Sequence, residues 1–306
     1  MRPLSGKAQG DGSPNASACP GHQHSQGLHV GSVARVPAPG RISDLMAWSP
    51  LATQFCLELA FGVLFGLCFL SKAPLGTFFH LMMGATALLP LLVGAVAPPL
   101  YSEAPWEAPS TVCALAGALS SPWLMGPVRS RLRALAAVWA TLCCGAALAC
   151  VVDSGPGVEG VGPLVLGSLS AMATGLVAGS VGLAMVLGHW YLTVPQLPVS
   201  WLVRINRLTV WAMVASGVLL TGSCLLSAQS FAQMDRPLLG AWGLFFLGTR
   251  VATGLALPLL FAWMTAGSLR YGNTRSATGI LYASTVLVLI GTAVSISLQD
   301  SYGIPL

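Results

Sequence analysis

Charge is what this sequence has least of. Asp, Glu, Lys and Arg together make up 8% of its 306 residues, against about a quarter in an ordinary soluble domain. Water cannot solvate a surface that poor in charge, so a soluble globular protein is excluded and a lipid-solvated one is indicated. Other absences narrow the chemistry. There is no CxxC pair, and Cys56, Cys68, Cys113, Cys143, Cys144, Cys150 and Cys224 all lie inside apolar segments, where they pack as small hydrophobes and not as a disulfide framework. There is no GxxxxGK[ST] phosphate loop and no HExxH, which removes the commonest nucleotide and zinc-hydrolase signatures. No basic stripe with interleaved aromatics offers a track for nucleic acid. No soluble stretch is long enough to form a separate catalytic domain, so the isolated chain is not expected to be an enzyme.

What is present is apolar length. Hydrophobic residues make up 55% of the chain and the mean hydropathy is +0.76. Residues 1–45 are rich in Gly, Ser, Pro and His without apolar periodicity, and read as a disordered N-terminal tail. They lack the apolar core of a secretory signal peptide. Residues 46–306 read as a polytopic transmembrane domain, and a start at Met46 is an alternative that leaves the tail outside the protein. Eight apolar segments are present, at about 48–71, 76–98, 109–126, 132–152, 162–190, 206–228, 238–267 and 276–298, each near the ~20 residues that span a bilayer core. The expectation is an all-α integral membrane bundle of about eight helices. The third segment is the shortest and contains Pro122, while Pro90 and Pro258 interrupt the second and seventh. No internal repeat of the inverted-transporter type is visible.

The few charges are unevenly placed. One set of alternate connections carries Lys72, Arg129, Arg131, Arg133, Arg204, Arg207, Arg270 and Arg275; the other carries Glu103, Glu107, Asp153, Glu159 and Asp235, with Arg236. Under the positive-inside rule the basic connections face the cytoplasm of a cell (inner) membrane and both termini lie outside. Arg2, Lys7, Arg35 and Arg41 in the tail oppose this, although long tails obey the rule poorly. Trp190, Tyr191 and Trp201 suit an interfacial aromatic belt.

Two charges fall deep inside apolar segments: Glu58 in the first and Arg250 in the seventh. An ionised group there costs at least ~2.5–3.5 kcal/mol on insertion scales, and such groups face the bundle interior and find partners. Glu58, Gly62 and Gly66 share one helical stripe, and Gly254 lies one turn beyond Arg250, so both charges sit where helices can approach closely. The expectation is a buried Glu58–Arg250 ion pair or a shared polar network, serving either to dock two helices or to handle a proton or an anionic or quinone-type group.

The membrane histidines form a second constellation. His80, beside Gly76 and Gly84, and His189, on a face with Gly175, Gly179 and Gly182, both fall near the basic side. Two imidazoles on facing helices can ligate one b-type haem iron as its metal ligands, with Arg204 and Arg207 pairing its propionates; the same groups can bind a quinone headgroup. Gly188-His189-Trp190-Tyr191-Leu192 and Asn273-Thr274-Arg275-Ser276 lie on this side too, the latter reading as a helix start capped by Thr274 or Ser276. In the tail, Cys19, His22, His24 and His29 offer copper or zinc ligands in a loose pattern. Asp153 falls on the opposite side from the histidines, so a Ser-His-Asp triad is not expected. These residues support three functional expectations: a membrane subunit of an electron-transfer assembly, partnered by other redox subunits; a proton- or ion-coupled transporter or channel using Glu58 and Arg250; or a non-catalytic scaffold. All three take the lipid bilayer as partner and none takes nucleic acid.

Overall fold

The computed structural model describes residues 42–101, 105–155, 160–194, 197–226 and 240–302, and among them every regular element is helical. The helices are α1 (Ile42–Leu70), α2 (Thr77–Tyr101), α3 (Pro109–Ala118), α4 (Ser121–Met125), α5 (Ser130–Asp153), α6 (Val161–Thr193), α7 (Ser200–Leu226), α8 (Ala241–Arg270) and α9 (Thr274–Tyr302). Among the described residues seven are long and apolar enough to cross a membrane: α2, α5, α6, α7, α8, α9 and the Pro50–Leu70 part of α1. The described residues are thus all-helical, as expected from the sequence, and their seven long apolar helices are compatible with a multi-pass membrane protein.

The segment at 109–126 departs from the expectation of eight long spans. It is split into α3 and α4 at Leu119–Ser120. Pro122 has no N–H to donate to the carbonyl of Ala118, so the helix stops and restarts with the proline in its first turn, where the missing donor costs nothing. Ser120 Oγ turns back to the Gly117 carbonyl at 2.7 Å and closes the break. At ten residues α3 reaches only about 15 Å, half a bilayer core. The broken pair nevertheless runs antiparallel to α2 and α5. Thr111 Oγ1 donates to the Ala95 carbonyl, whereas Met125 packs at Gly84. Trp139 Nε1 donates to the Ala116 carbonyl, and Arg133 Nη2 to that of Gly126.

Contacts elsewhere keep the same alternation. Gly62 meets Gly175 and Gly66 meets Leu183, so α1 and α6 run parallel; Gly188 meets Thr278, and Asn206 Nδ2 donates to the Ala262 carbonyl, so α9 opposes α6 and α8 opposes α7. One end of the bundle thus gathers Lys72, Arg129, Arg131, Arg204, Arg207, Arg270 and Arg275 (the basic face), while Glu107 and Asp153 lie toward the other (the acidic face).

α6 is the axis of the packing: 72% of its span is buried, against 17% for α8. Its composition explains why. Gly175 and Gly179 carry no side chain where α1 crosses, and a Cβ on Gly62 would fall onto the Gly175 carbonyl. Without a hydrophobic drive between helices in lipid, such close backbone approach is what holds them together. A second close approach joins Gly254 of α8 to Gly291 of α9. Between α8 and α9, Gly272 takes a left-handed φ of 68°, which a residue with a Cβ disfavours. The next helix is capped by Asn273, whose Oδ1 accepts from the Ser276 N–H at 3.0 Å, and not by the Thr274 or Ser276 side chain expected from the sequence. An Asn side chain one residue before the helix reaches the third amide as well as a hydroxyl does.

Candidate functional site

α8 is not regular. Residues Ala252–Ala256 form a π turn directly after Arg250. Pro258 supplies the cause: lacking an N–H, it leaves the Gly254 carbonyl without its usual donor, and the wider turn redistributes the ladder. Where the sequence indicated a kink at Pro258, the structure has this one expanded turn. A Cβ on Gly254 would collide with Arg250 Nη1, so the glycine is what lets the guanidinium lie in the bundle.

Arg250 is 1% exposed and Glu58 is 1% exposed. From the acidic-face ends of their spans, at Pro50 and Ala241, the two lie about 12 and 14 Å deep at ~1.5 Å per residue. They flank one turn of α6. Arg250 Nη2 donates to Thr174 Oγ1 at 3.0 Å and to Ser216 Oγ of α7 at 2.9 Å. The Glu58 backbone packs at the neighbouring Gly175. Gln54 Nε2 donates to Glu58 Oε1 and to Gln299 Oε1 of α9, both at 2.9 Å. The two charges therefore do not bond directly to each other. Each is held by neutral groups, and five helices (α1, α6, α7, α8 and α9) converge on the cluster.

Each anchored side chain keeps an open position. Among the described residues Glu58 Oε2 and Arg250 Nε are buried with no partner, and so are the hydroxyls of Ser223 and Thr292. Ser223 is two turns from Ser216 on the same stripe of α7. Thr292 shares a stripe of α9 with Gln299. Hydroxyls inside apolar helices ordinarily bond back to a carbonyl one turn earlier, as Thr249, Thr285 and Ser297 do here. Buried polar atoms without partners are uncommon in folded proteins and carry a full desolvation penalty. They occur in both halves of the bundle, but only here do they include a carboxylate and a guanidinium that are both 1% exposed.

The histidine constellation is arranged differently. His80 is buried and its Nε2 has no partner among the described residues. His189 is exposed, and its Nδ1 lies 3.3 Å from the Tyr282 hydroxyl of α9. The helices themselves do meet here: Trp190 stacks on Phe78 at 5.9 Å and packs edge-on against Phe79 at 5.5 Å. Successive helical residues point about 100° apart, so with Phe78 and Phe79 turned to α6, His80 is turned away from it, and His189 is turned toward α9. Among the described residues no hydrogen bond or ring contact joins the two imidazoles. Arg204 lies exposed over the Trp201 ring at 4.8 Å, and Arg207 is exposed on α7; hydrogen bonds link neither to a histidine. Among the described residues no three His, Cys, Asp or Glu side chains gather to hold a metal. Cys19, His22, His24 and His29 lie outside the described residues.

Gln54, Thr174, Ser216 and Gln299 did not stand out in the sequence. Gln54 had a signal, being one turn before Glu58 on the same face. Thr174 and Ser216 had none, because serine and threonine recur throughout these helices. In comparisons with known proteins, no family model, curated protein or solved structure matches the chain.

Proposed function

We propose that this chain is an eight-pass carrier of a cell membrane, basic loops cytoplasmic, that moves a small polar solute through the cluster centred on Glu58 and Arg250. The observation that carries this reading is a carboxyl and a guanidinium, both fully buried, that are each anchored by neutral hydrogen bonds and each left with an open polar atom. Intramembrane ionisable groups facing a bundle interior are the usual mark of a solute or ion path. The π turn beside Arg250 adds to it, since such turns concentrate at functional positions and locally loosen a helix that must move. The test is uptake into proteoliposomes of one labelled solute of each charge type (lactate, choline and γ-aminobutyrate), beside Glu58→Gln and Arg250→Met. Uptake of at least one, lost in both variants, is the expected result; uptake no greater than in protein-free vesicles for all three overturns the carrier reading.

A second reading, membership of an electron-transfer assembly, is favoured by one observation. The buried His80 Nε2 lacks a partner among the described residues, and a neutral imidazole in that state can donate to or accept from a quinone headgroup. A haem ligated jointly by His80 and His189 has no such support, because the two rings are turned to different neighbours. Quenching of intrinsic fluorescence by a short-chain ubiquinone, reduced in His80→Ala, tests the quinone version. Identical titrations for the two proteins count against it.

A further inference from the structure

We infer that the Glu58–Arg250 centre binds a small zwitterion, with the ammonium end on Glu58 Oε2 and the carboxylate end on Arg250 Nε. The inference rests on the carrier reading of this cluster and names the class of its solute. The site holds one carboxylate and one guanidinium, both 1% exposed, in surroundings where Coulomb interactions are weakly screened. A lone anion arriving at Arg250 meets the like charge of Glu58 across one turn of α6; a lone cation arriving at Glu58 meets Arg250. A zwitterion satisfies both open atoms together and leaves the net charge of the bundle interior unchanged.

The hydrogen bonding points the same way. Two buried opposite charges that served only to dock helices would be expected to bond to each other, because a buried ion pair repays its desolvation only in close, fully satisfied geometry. Here each is instead steered by uncharged neighbours. Gln54, itself tied to Gln299, takes Glu58 Oε1. Thr174 and Ser216 take Arg250 Nη2, and Gly254 clears space for Nη1. Oε2 and Nε stay open. Side chains fixed in orientation with one acceptor and one donor free form a preorganised site, which lowers the ordering cost of binding.

The experiment is equilibrium binding to the purified full chain in mild detergent, by titration calorimetry, with γ-aminobutyrate against its two truncated charge analogues, butyrate and butylammonium. Wild-type protein is expected to bind γ-aminobutyrate at least about ten-fold more tightly than either analogue, as expected for a lost hydrogen bond to a charged group. Glu58→Gln, which is near-isosteric, shifts the order toward butyrate. Arg250→Gln shifts it toward butylammonium. Butyrate binding to wild type as well as γ-aminobutyrate does, or no binding of any of the three, overturns the inference whether or not the variants fold. An unchanged order in both folded variants, checked by size-exclusion profile, also overturns it. Failure here is separable from failure of the carrier reading: lactate uptake without zwitterion binding leaves a carrier with a different solute, and zwitterion binding without uptake leaves a binding site that does not transport.

Discussion

Gly62→Ala is the most direct test of how the bundle holds its site. The added methyl would lie 2.7 Å from the Gly175 carbonyl carbon and 2.9 Å from Gly179 Cα, closer still to the Gly175 oxygen. All three are backbone atoms, so no rotamer can relieve the overlap. Ordinary contact begins at 3.4 Å; the carbonyl carbon alone requires α1 and α6 to part by 0.7 Å, the difference between 3.4 and 2.7 Å, and the nearer oxygen requires more. A radial gap of about 0.5–1 Å forfeits a quarter to a half of each van der Waals well along the seam, and overpacking of this kind costs about 1–3 kcal/mol. The effect reaches the site as well, because Glu58 is one turn from Gly62 on the same face and its backbone packs on Gly175. Gly222→Ala in α7 is the control: nothing lies within 4 Å of its new methyl, and alanine is favoured over glycine in a helix by roughly 0.5–1 kcal/mol. Reversible unfolding in mixtures of SDS and mild detergent should place the two variants on opposite sides of wild type. Equal stabilities would refute the claim that backbone contact, and not side-chain packing, holds α1 to α6.

The same geometry sets four further outcomes. Thr174→Val removes a hydrogen bond to a buried charged group and should cost about 1.5–3 kcal/mol, with a non-additive cycle against Arg250→Met; strict additivity in the unfolding assay would show that the bond contributes nothing. Trp139→Phe removes the indole donor to the Ala116 carbonyl and should lower stability by about 1 kcal/mol, with a larger loss indicating that the α3–α5 seam depends on more than this bond. Sidedness reporters fused after residue 106 and after residue 128 should report opposite compartments if α3 and α4 together cross the membrane; the same compartment for both would make the pair re-entrant. A reduced-minus-oxidised visible spectrum should show no α-band that disappears jointly in His80→Ala and His189→Ala, since the rings face different helices.

The fold was legible where it depends on summed quantities. Charge scarcity and apolar length are properties of twenty residues at a time, and α1, α2 and α5–α9 fall on the segments they indicate. The broken α3–α4 pair was not legible as broken, because its mean apolarity hides a local event: one missing N–H at Pro122 and one serine, Ser120, able to close the gap from its side chain. The cap at Asn273 was missed for a similar reason. Asn, Thr and Ser stand close together near that turn, and only the position of the first helical residue decides which of them caps.

The site divides along the same line. Glu58 and Arg250 announce themselves, since a charge at mid-depth is expensive wherever it faces. Depth alone does not determine their relation. It puts two groups at one level of a bundle, but contact depends on the angular position of each helix. Here that position is set by features that carry no charge: the Gly62–Gly175 crossing that orients α1, and the π turn at Ala252–Ala256 that rotates the second half of α8 relative to the half bearing Arg250. The same limit applies to the histidines. His80 and His189 sit beside residues that do touch, Phe79 and Trp190, yet a step of one residue turns a side chain through about 100°, enough to send one imidazole inward and the other to Tyr282. In a bundle of this kind hydropathy fixes the level at which chemistry sits. Small residues and helix irregularities determine which groups at that level meet, and here they hold a carboxylate and a guanidinium near each other without letting them pair.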